Sequence, residues 1–137
     1  MTVAGAKIVN DVTIQKIVGE PTFDETIEIF IEYYIKQSTR HVLWDLTAAS
    51  MQSYKFEDLD RFGDFMMKFA KQREGGKTAI VASRELEYGL ARTITSMAER
   101  KNMIITIHAF RTYSEGAKWL GIDQGSSINL ENFSLSR

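Results

Sequence analysis

Chemistry in a protein chain needs side chains that can attack, shuttle protons or hold ions, and this sequence offers few of them. It has 0 Cys and 2 His, which excludes a thiolate nucleophile, an iron–sulfur cluster, a disulfide framework, a Cys-based zinc site and a His-rich metal site. Asp45 lies in the run Val42-Leu43-Trp44-Asp45-Leu46, where a receiver domain would carry its phosphate-accepting aspartate. No acidic pair closes the first strand to hold Mg²⁺, and the last strand ends Ala109-Phe110-Arg111 without the lysine such a site uses. Asp45 is therefore expected to cap the turn after its strand or to pair with Arg111. Ser50 or Ser83 with His108 and Asp45 would supply the residue types of a hydrolytic triad, but there is no G-x-S-x-G elbow to present the serine. His41 reads as a strand-entry residue and His108 as a hydrogen-bonded core residue.

Two further sets have binding potential. Phe62, Phe65, Met66 and Phe69 recur at helical spacing, as either ordinary core or the wall of an apolar pocket, since Met adapts to irregular shapes. Tyr88 and Arg92 stand at i and i+4 and share a helix face, where a guanidinium can stack on the ring or bind an acidic group. Between them Gly89 costs roughly 1 kcal/mol against Ala in a helix interior, which asks for a reason: close approach of a neighbouring element, or room for a ligand. Gly75-Gly76 follows a helix and precedes a strand with no G-x-x-x-x-G-K-[ST] around it, so it is a helix stop and not a phosphate loop. Lys68, Lys71, Arg73 and Lys77 read as the favourable charges of a helix C-terminus.

Periodicity supplies the elements that would position these groups. Lys7 to Val9 and Val12 to Val18 predict a hairpin turning at Asn10-Asp11. Thr22, with Glu25 three residues on, predicts a capping box. Phe23, Ile27, Phe30, Ile31, Tyr34 and Ile35 then line one face of a helix reaching about Gln37. A strand follows from His41 to Leu46, then a helix from about Phe56 to Gly75-Gly76. Thr78 to Ala82 is an uninterrupted apolar strand of the kind covered on both faces. Ser83 is the expected N-cap of a helix ending at Asn102, followed by a strand from Met103 to Phe110 and a helix from Ser114 to Leu120 stopped by Gly121. The order ββαβαβαβα implies a single α/β domain with a mixed, mostly parallel sheet opened by an N-terminal β-hairpin. In such sheets ligands and partners meet the carboxyl ends of the strands, here 45–54, 82–88 and 110–114.

With 137 residues and 44% hydrophobic content, the chain is long enough for one domain with one buried core. The net charge is −1, and basic residues are spread without a run of five, which argues against a dedicated nucleic-acid or anionic-membrane binder. No apolar stretch approaches the ~20 residues of a spanning helix. The N-terminus lacks a long apolar h-region, so a cytoplasmic location is expected.

Several blocks carry a resemblance. The strand HVLWDL with its Ser-containing loop, the block AIVASRELEYGLAR and the segment HAFRTYSEGAKWLGI resemble the bacterial SpoIIAA-like family, also described as STAS/SEC14-like. The resemblance runs from about Val12 to Ile122, and its most specific pieces are Tyr88-Gly89-Leu90-Ala91-Arg92, Phe110-Arg111 and Trp119-Leu120-Gly121. It implies a compact sheet with packed helices, no intrinsic enzymatic activity, and a role in binding a partner or ligand. Anti-anti-sigma factors of the STAS group are switched by phosphorylation of a serine in an Asp-Ser-Ser-Gly segment at the start of the second helix. The matching stretch, Met51-Gln52-Ser53-Tyr54-Lys55-Phe56, keeps Ser53 but has neither the preceding acid nor the following glycine. Ser53 is thus a possible phosphorylation site, or simply an N-cap.

The reading is a non-enzymatic regulatory or partner-binding module over 1–122 with a tail over 123–137, using Asp45, Ser50, Ser53, Ser83, Tyr88, Arg92 and Arg111. The alternative is a domain of SEC14-like type that binds a small apolar ligand or lipid under the second helix. No cofactor or metal is expected, and a homodimer is compatible with either.

Overall fold

The computed structural model describes residues 2–128. The tail positions Leu130, Phe133 and Leu135, with the apolar character of a packed or interface-forming extension, lie outside the described residues. Strand β1 (Val3–Val9) pairs antiparallel with β2 (Val12–Gly19), Val9 opposite Val12. Asn10 takes up the left-handed φ of 56° in the turn, a conformation Asn tolerates. β1 begins four residues earlier than expected because β2 offers a partner along its whole length, down to Val3 opposite Val18.

Helix α1 (Phe23–Glu32) starts at the expected capping box: the Thr22 hydroxyl accepts from Glu25 N–H, and the Glu25 carboxylate accepts from Thr22 N–H. It does not continue as α-helix to Gln37. A π-helical turn occupies Tyr33–Gln37, and the wider turn resets the phase of the buried face. Tyr33 and Tyr34 both point into the core, and Ile35, expected on the apolar face, is instead 73% exposed.

β3 (His41–Ala49) outruns its predicted end at Leu46, because an irregularity between Lys16 and Val18 lets the end of β2 pair with Ala48 and Ala49. Helix α2 (Phe56–Phe69) tightens into a 3₁₀ turn over Ala70–Arg73 before β4 (Lys77–Val81). Gly75 has φ 80°, the left-handed stop expected there. Helix α3 (Glu85–Arg100) is capped by Arg84 and not by Ser83: Arg84 is the last extended residue and its carbonyl accepts from Tyr88 N–H. β5 (Thr106–Phe110) begins three residues later than expected, since its neighbour β4 begins at Lys77, opposite Thr106. Helix α4 (Tyr113–Leu120) is capped by Thr112 and stopped by Gly121 at φ 76°.

The strands lie in the order β1-β2-β3-β4-β5, with β2 to β5 parallel. Each crossover steps the same way across the sheet, so right-handed connections put α1, α2 and α3 on one face. Phe30, Tyr33, Met66, Ala91 and Ala98 accordingly share a core with Val42, Ile80 and Ile107. The alternate strand residues Leu43, Ala79 and Val81 face the other way, where α4, Ile122 and Ile128 cover them with Val12 and Ile14. The result is one α/β domain. Among the described residues no helix is long and apolar enough to cross a membrane.

Candidate functional site

At the carboxyl ends of the strands, the loop from β3 to α2 is tied to its surroundings by its own polar groups. Ser50 N–H donates to Gly19 C=O at 2.7 Å, and Ser53 Oγ donates to Pro21 C=O at 3.1 Å. The Tyr54 hydroxyl is hydrogen-bonded to Thr26 Oγ1, and burial pushes its pKa up to about 12. Glu87, in the first turn of α3, is 3% exposed. Its Oε2 accepts from Met51 N–H at 2.9 Å, while Oε1 lies 3.4 Å from Arg84 Nε and the Arg84 guanidinium donates to Ala49 C=O. One buried carboxylate thus fastens the loop to α3. Sequence reading does not single out Glu87, because acidic residues are common in a first helical turn for their favourable interaction with the helix dipole.

Beside this clamp stands an exposed cluster. Arg111, just past β5, pairs with Glu85 at 2.8 Å and lies with its guanidinium carbon 4.0 Å from the centre of the Tyr88 ring. Arg92 approaches the same ring at 6.0 Å, the outer limit of a useful cation–π contact. The expected Tyr88–Arg92 face therefore exists, but Arg111 is the cation that stacks. Gly89 has nothing within 4 Å of where a Cβ would sit, so no neighbouring element demands it. Ser83 is exposed ahead of α3.

Asp45 and Ser53 behave differently from their sequence roles. Asp45 is 2% exposed; its Oδ1 accepts from Thr47 N–H at 3.0 Å and Thr47 Oγ1 at 2.7 Å, and Oδ2 lies 4.0 Å from Lys16 Nζ. It caps the turn, as one reading expected, but on the α4 face, and the expected pair with Arg111 is replaced by Lys16. Ser53 is not an N-cap, because α2 starts after Lys55, whose N–H is taken by the Asp58 carboxylate at 2.8 Å. Ser53 remains exposed in the loop. His108, expected in the core, is exposed and stacked on Trp119, centroids 4.8 Å apart and planes 3° off parallel; β5 is an edge strand, so that side chain has no strand beyond it to bury against. No hydrogen bond joins Asp45, His108, Ser50 or Ser83 among the described residues.

Beneath the loop, between the helix layer and the sheet, lies an apolar cavity of ≈ 80 Å³. Phe62 and Met66 line it as expected, with Phe30, Trp44, Leu90 and Ile94. Phe65 and Phe69 do not: Phe69 stacks on Tyr34 at 5.1 Å and Phe65 lies under the Lys68 ammonium at 5.6 Å. Trp44, on a strand flanked on both sides, is only half-buried, as are Phe62, Leu90 and Ile94, which places the opening between α2 and α3. Among the described residues no three His, Cys, Asp or Glu side chains gather to hold a metal ion.

A mixed five-stranded sheet with three helices on one face and a fourth on the other defines a SpoIIAA-like fold, and the comparisons agree. The chain is similar to an uncharacterized protein of the DUF3478 family with a SpoIIAA-like fold from Shewanella loihica, with TM-score 0.51 and 18% identity over 87% of this chain and 93% of that one. It is also similar to an anti-sigma factor antagonist from Mycobacterium paratuberculosis, with TM-score 0.60 and 15% identity over 88% of this chain and 95% of that one. No family model and no curated protein matches the sequence.

Proposed function

We propose that this chain is a non-enzymatic regulatory module that binds a protein partner at the rim formed by the β3–α2 loop, the start of α3 and Arg111. The observation that carries this reading is the exposed Glu85–Arg111 pair stacked on the half-buried Tyr88 ring, set beside a loop that a buried carboxylate fixes in place. A preformed surface with a stacked arginine and an aromatic ring is the kind of patch that anchors protein interfaces. That the similar Mycobacterium protein is an anti-sigma factor antagonist supports a partner-binding role. Tyr88, Arg92 and Arg111 would touch the partner, with Ser50, Ser53 and Ser83 at its margin, while Asp45 holds the base of the loop. Phosphate on Ser53 would add about −1.5 to −2 charge to this rim and change what it accepts. The domain would work in the cytoplasm over residues 1–122, as a monomer or a homodimer, with 123–137 as an extension.

A photocrosslinking residue at position 88, in cells that make the protein naturally, tests this reading. One discrete adduct, lost with Arg111→Glu and absent when the crosslinker stands at Ile8 on β1, is expected. A ladder of adducts indifferent to Arg111 would overturn it. A second reading, a site for a small apolar ligand, is favoured by the cavity under the loop.

A further inference from the structure

The cavity has a polar end, at the start of β4, with a charge imbalance. Arg73, a guanidinium cation with five N–H donors and no acceptor, is 3% exposed. Its Nε donates to Thr39 C=O and Arg40 C=O, both at 3.2 Å. Nη1 donates to the Tyr34 hydroxyl at 3.1 Å and Thr78 Oγ1 at 2.9 Å, and Nη2 donates to Lys77 C=O at 2.8 Å. Every one of these acceptors is neutral, and Arg73 forms no ion pair among the described residues. A buried charge is normally paired, because bonds to neutral acceptors and the faces of Tyr33 and Tyr34, 5.8 and 6.0 Å from the guanidinium carbon, repay only part of its desolvation.

Donors are in surplus as well. Tyr34 and Thr78 each accept from Arg73, so their own hydroxyl protons remain to be given, and neither hydroxyl donates to a described residue. The second N–H of Nη2 likewise has no acceptor among them. Arg73, Tyr34 and Thr78 all line the cavity, whose remaining wall near them is apolar: Phe30, Ile80 and Ile107. One positive charge and three unspent donors at this end, across apolar walls from the Glu87 carboxylate that Met51 and Arg84 already hold at the other, ask for an acceptor-only anion on an apolar body.

We propose that the cavity binds an amphiphilic carboxylate, its head group held by Arg73, Tyr34 and Thr78 and its tail running along Phe30, Trp44 and Ile94 toward the opening between α2 and α3. A carboxylate brings two oxygens with about four acceptor positions and no donor, which matches this set. The proposal rests on the apolar-ligand reading of the cavity and adds the head group and its three receiving residues.

The test is titration of octanoate into the full chain at pH 7, with 1-octanol as the uncharged probe, followed by calorimetry and by the fluorescence of Trp44 and Trp119. Octanoate is expected to bind roughly tenfold or more tightly than octanol, as charge-assisted bonds require. Removing Arg73 would also break its bonds to the backbone at Thr39, Arg40 and Lys77, so the informative variants are Tyr34→Phe and Thr78→Val. Each deletes one donor at nearly constant shape and should weaken octanoate by roughly tenfold while leaving octanol unchanged. If octanol bound as well as octanoate, the head-group assignment would fall and the apolar-ligand reading would stand. If neither bound, both would fall. Octanoate binding untouched by the two variants would place the head group elsewhere and overturn the assignment.

Discussion

His41 shows how one side chain ties pH to stability. Its Nδ1 accepts from Lys77 N–H at 2.9 Å, which only a neutral imidazole nitrogen can do. Burial, foremost, lowers its pKa below the ordinary 6.5; Asp11 opposes that, and Arg40, Arg73 and Lys77 reinforce it. A histidine with a depressed folded-state pKa binds fewer protons folded than unfolded, so stability rises with pH through that window. Its contribution is complete above 6.5 and is lost as pH falls toward the folded-state value. The thermal midpoint should therefore fall as the pH drops below about 6.5, above the range in which the carboxylates titrate, and His41→Gln should flatten that slope. Melts of the two proteins across this range would decide it, and identical slopes would assign the loss to another group. The sequence identified His41 as a strand-entry residue; its bond to Lys77 depends on β3 and β4 lying side by side.

The elements make opposite demands on two glycines. Gly89 sits in α3 with open space around it, so Gly89→Ala should stabilise the protein by up to about 1 kcal/mol through helix propensity alone. Gly76 is a different case: a Cβ there would lie 2.0 Å from Arg40 O and 2.8 Å from Arg73 O. Backbone atoms cannot give way as a flexible side chain can, so Gly76→Ala should cost about 1–3 kcal/mol or more. Denaturant unfolding of both variants measures the two signs, and a stable Gly76→Ala would mean that this approach relaxes freely. Sequence placed both glycines in the right elements. Which one is sterically required was settled by the chain from 40 to 41 passing against the end of the 3₁₀ turn, a contact across more than thirty residues.

Across the whole molecule, the sheet separates support from surface. Ile80, on a central strand under three helices, is 5% exposed, and its truncation to Ala should cost about 2–5 kcal/mol. Tyr88 and Arg111 stand at the rim, where the Arg111–Glu85 pair faces water, Glu85 being 87% exposed at its side chain. An exposed pair contributes about 0–1 kcal/mol, so Tyr88→Ala and Arg111→Ala should each leave the melting temperature near that of the parent chain. Thermal melts separate the two groups. If Arg111→Ala destabilised the protein as much as Ile80→Ala, the stacked cluster would be part of the fold's internal support, and the proposed rim would lose its principal residues.

Local patterns in the chain carry the elements and their order: the Thr22–Glu25 capping box, the apolar stripes of α2 and α3, the all-apolar strand β4 and the glycine stop at Gly121 are signalled by each residue's neighbours in the chain. These suffice for a mixed sheet with crossover helices, and Tyr88, Arg92 and Arg111 could be placed at its carboxyl edge from them. Where charge is buried depends on the packing of distant segments. Asp45 turned to the α4 face and found Thr47 and Lys16; Glu87 reached across to Met51; Arg73, read from sequence as one more cation at a helix end, went inside to a cluster of neutral acceptors. The reason is physical: desolvation of a side chain depends on which strands and helices cover it, and those partners are brought together by long-range register, which local periodicity does not encode.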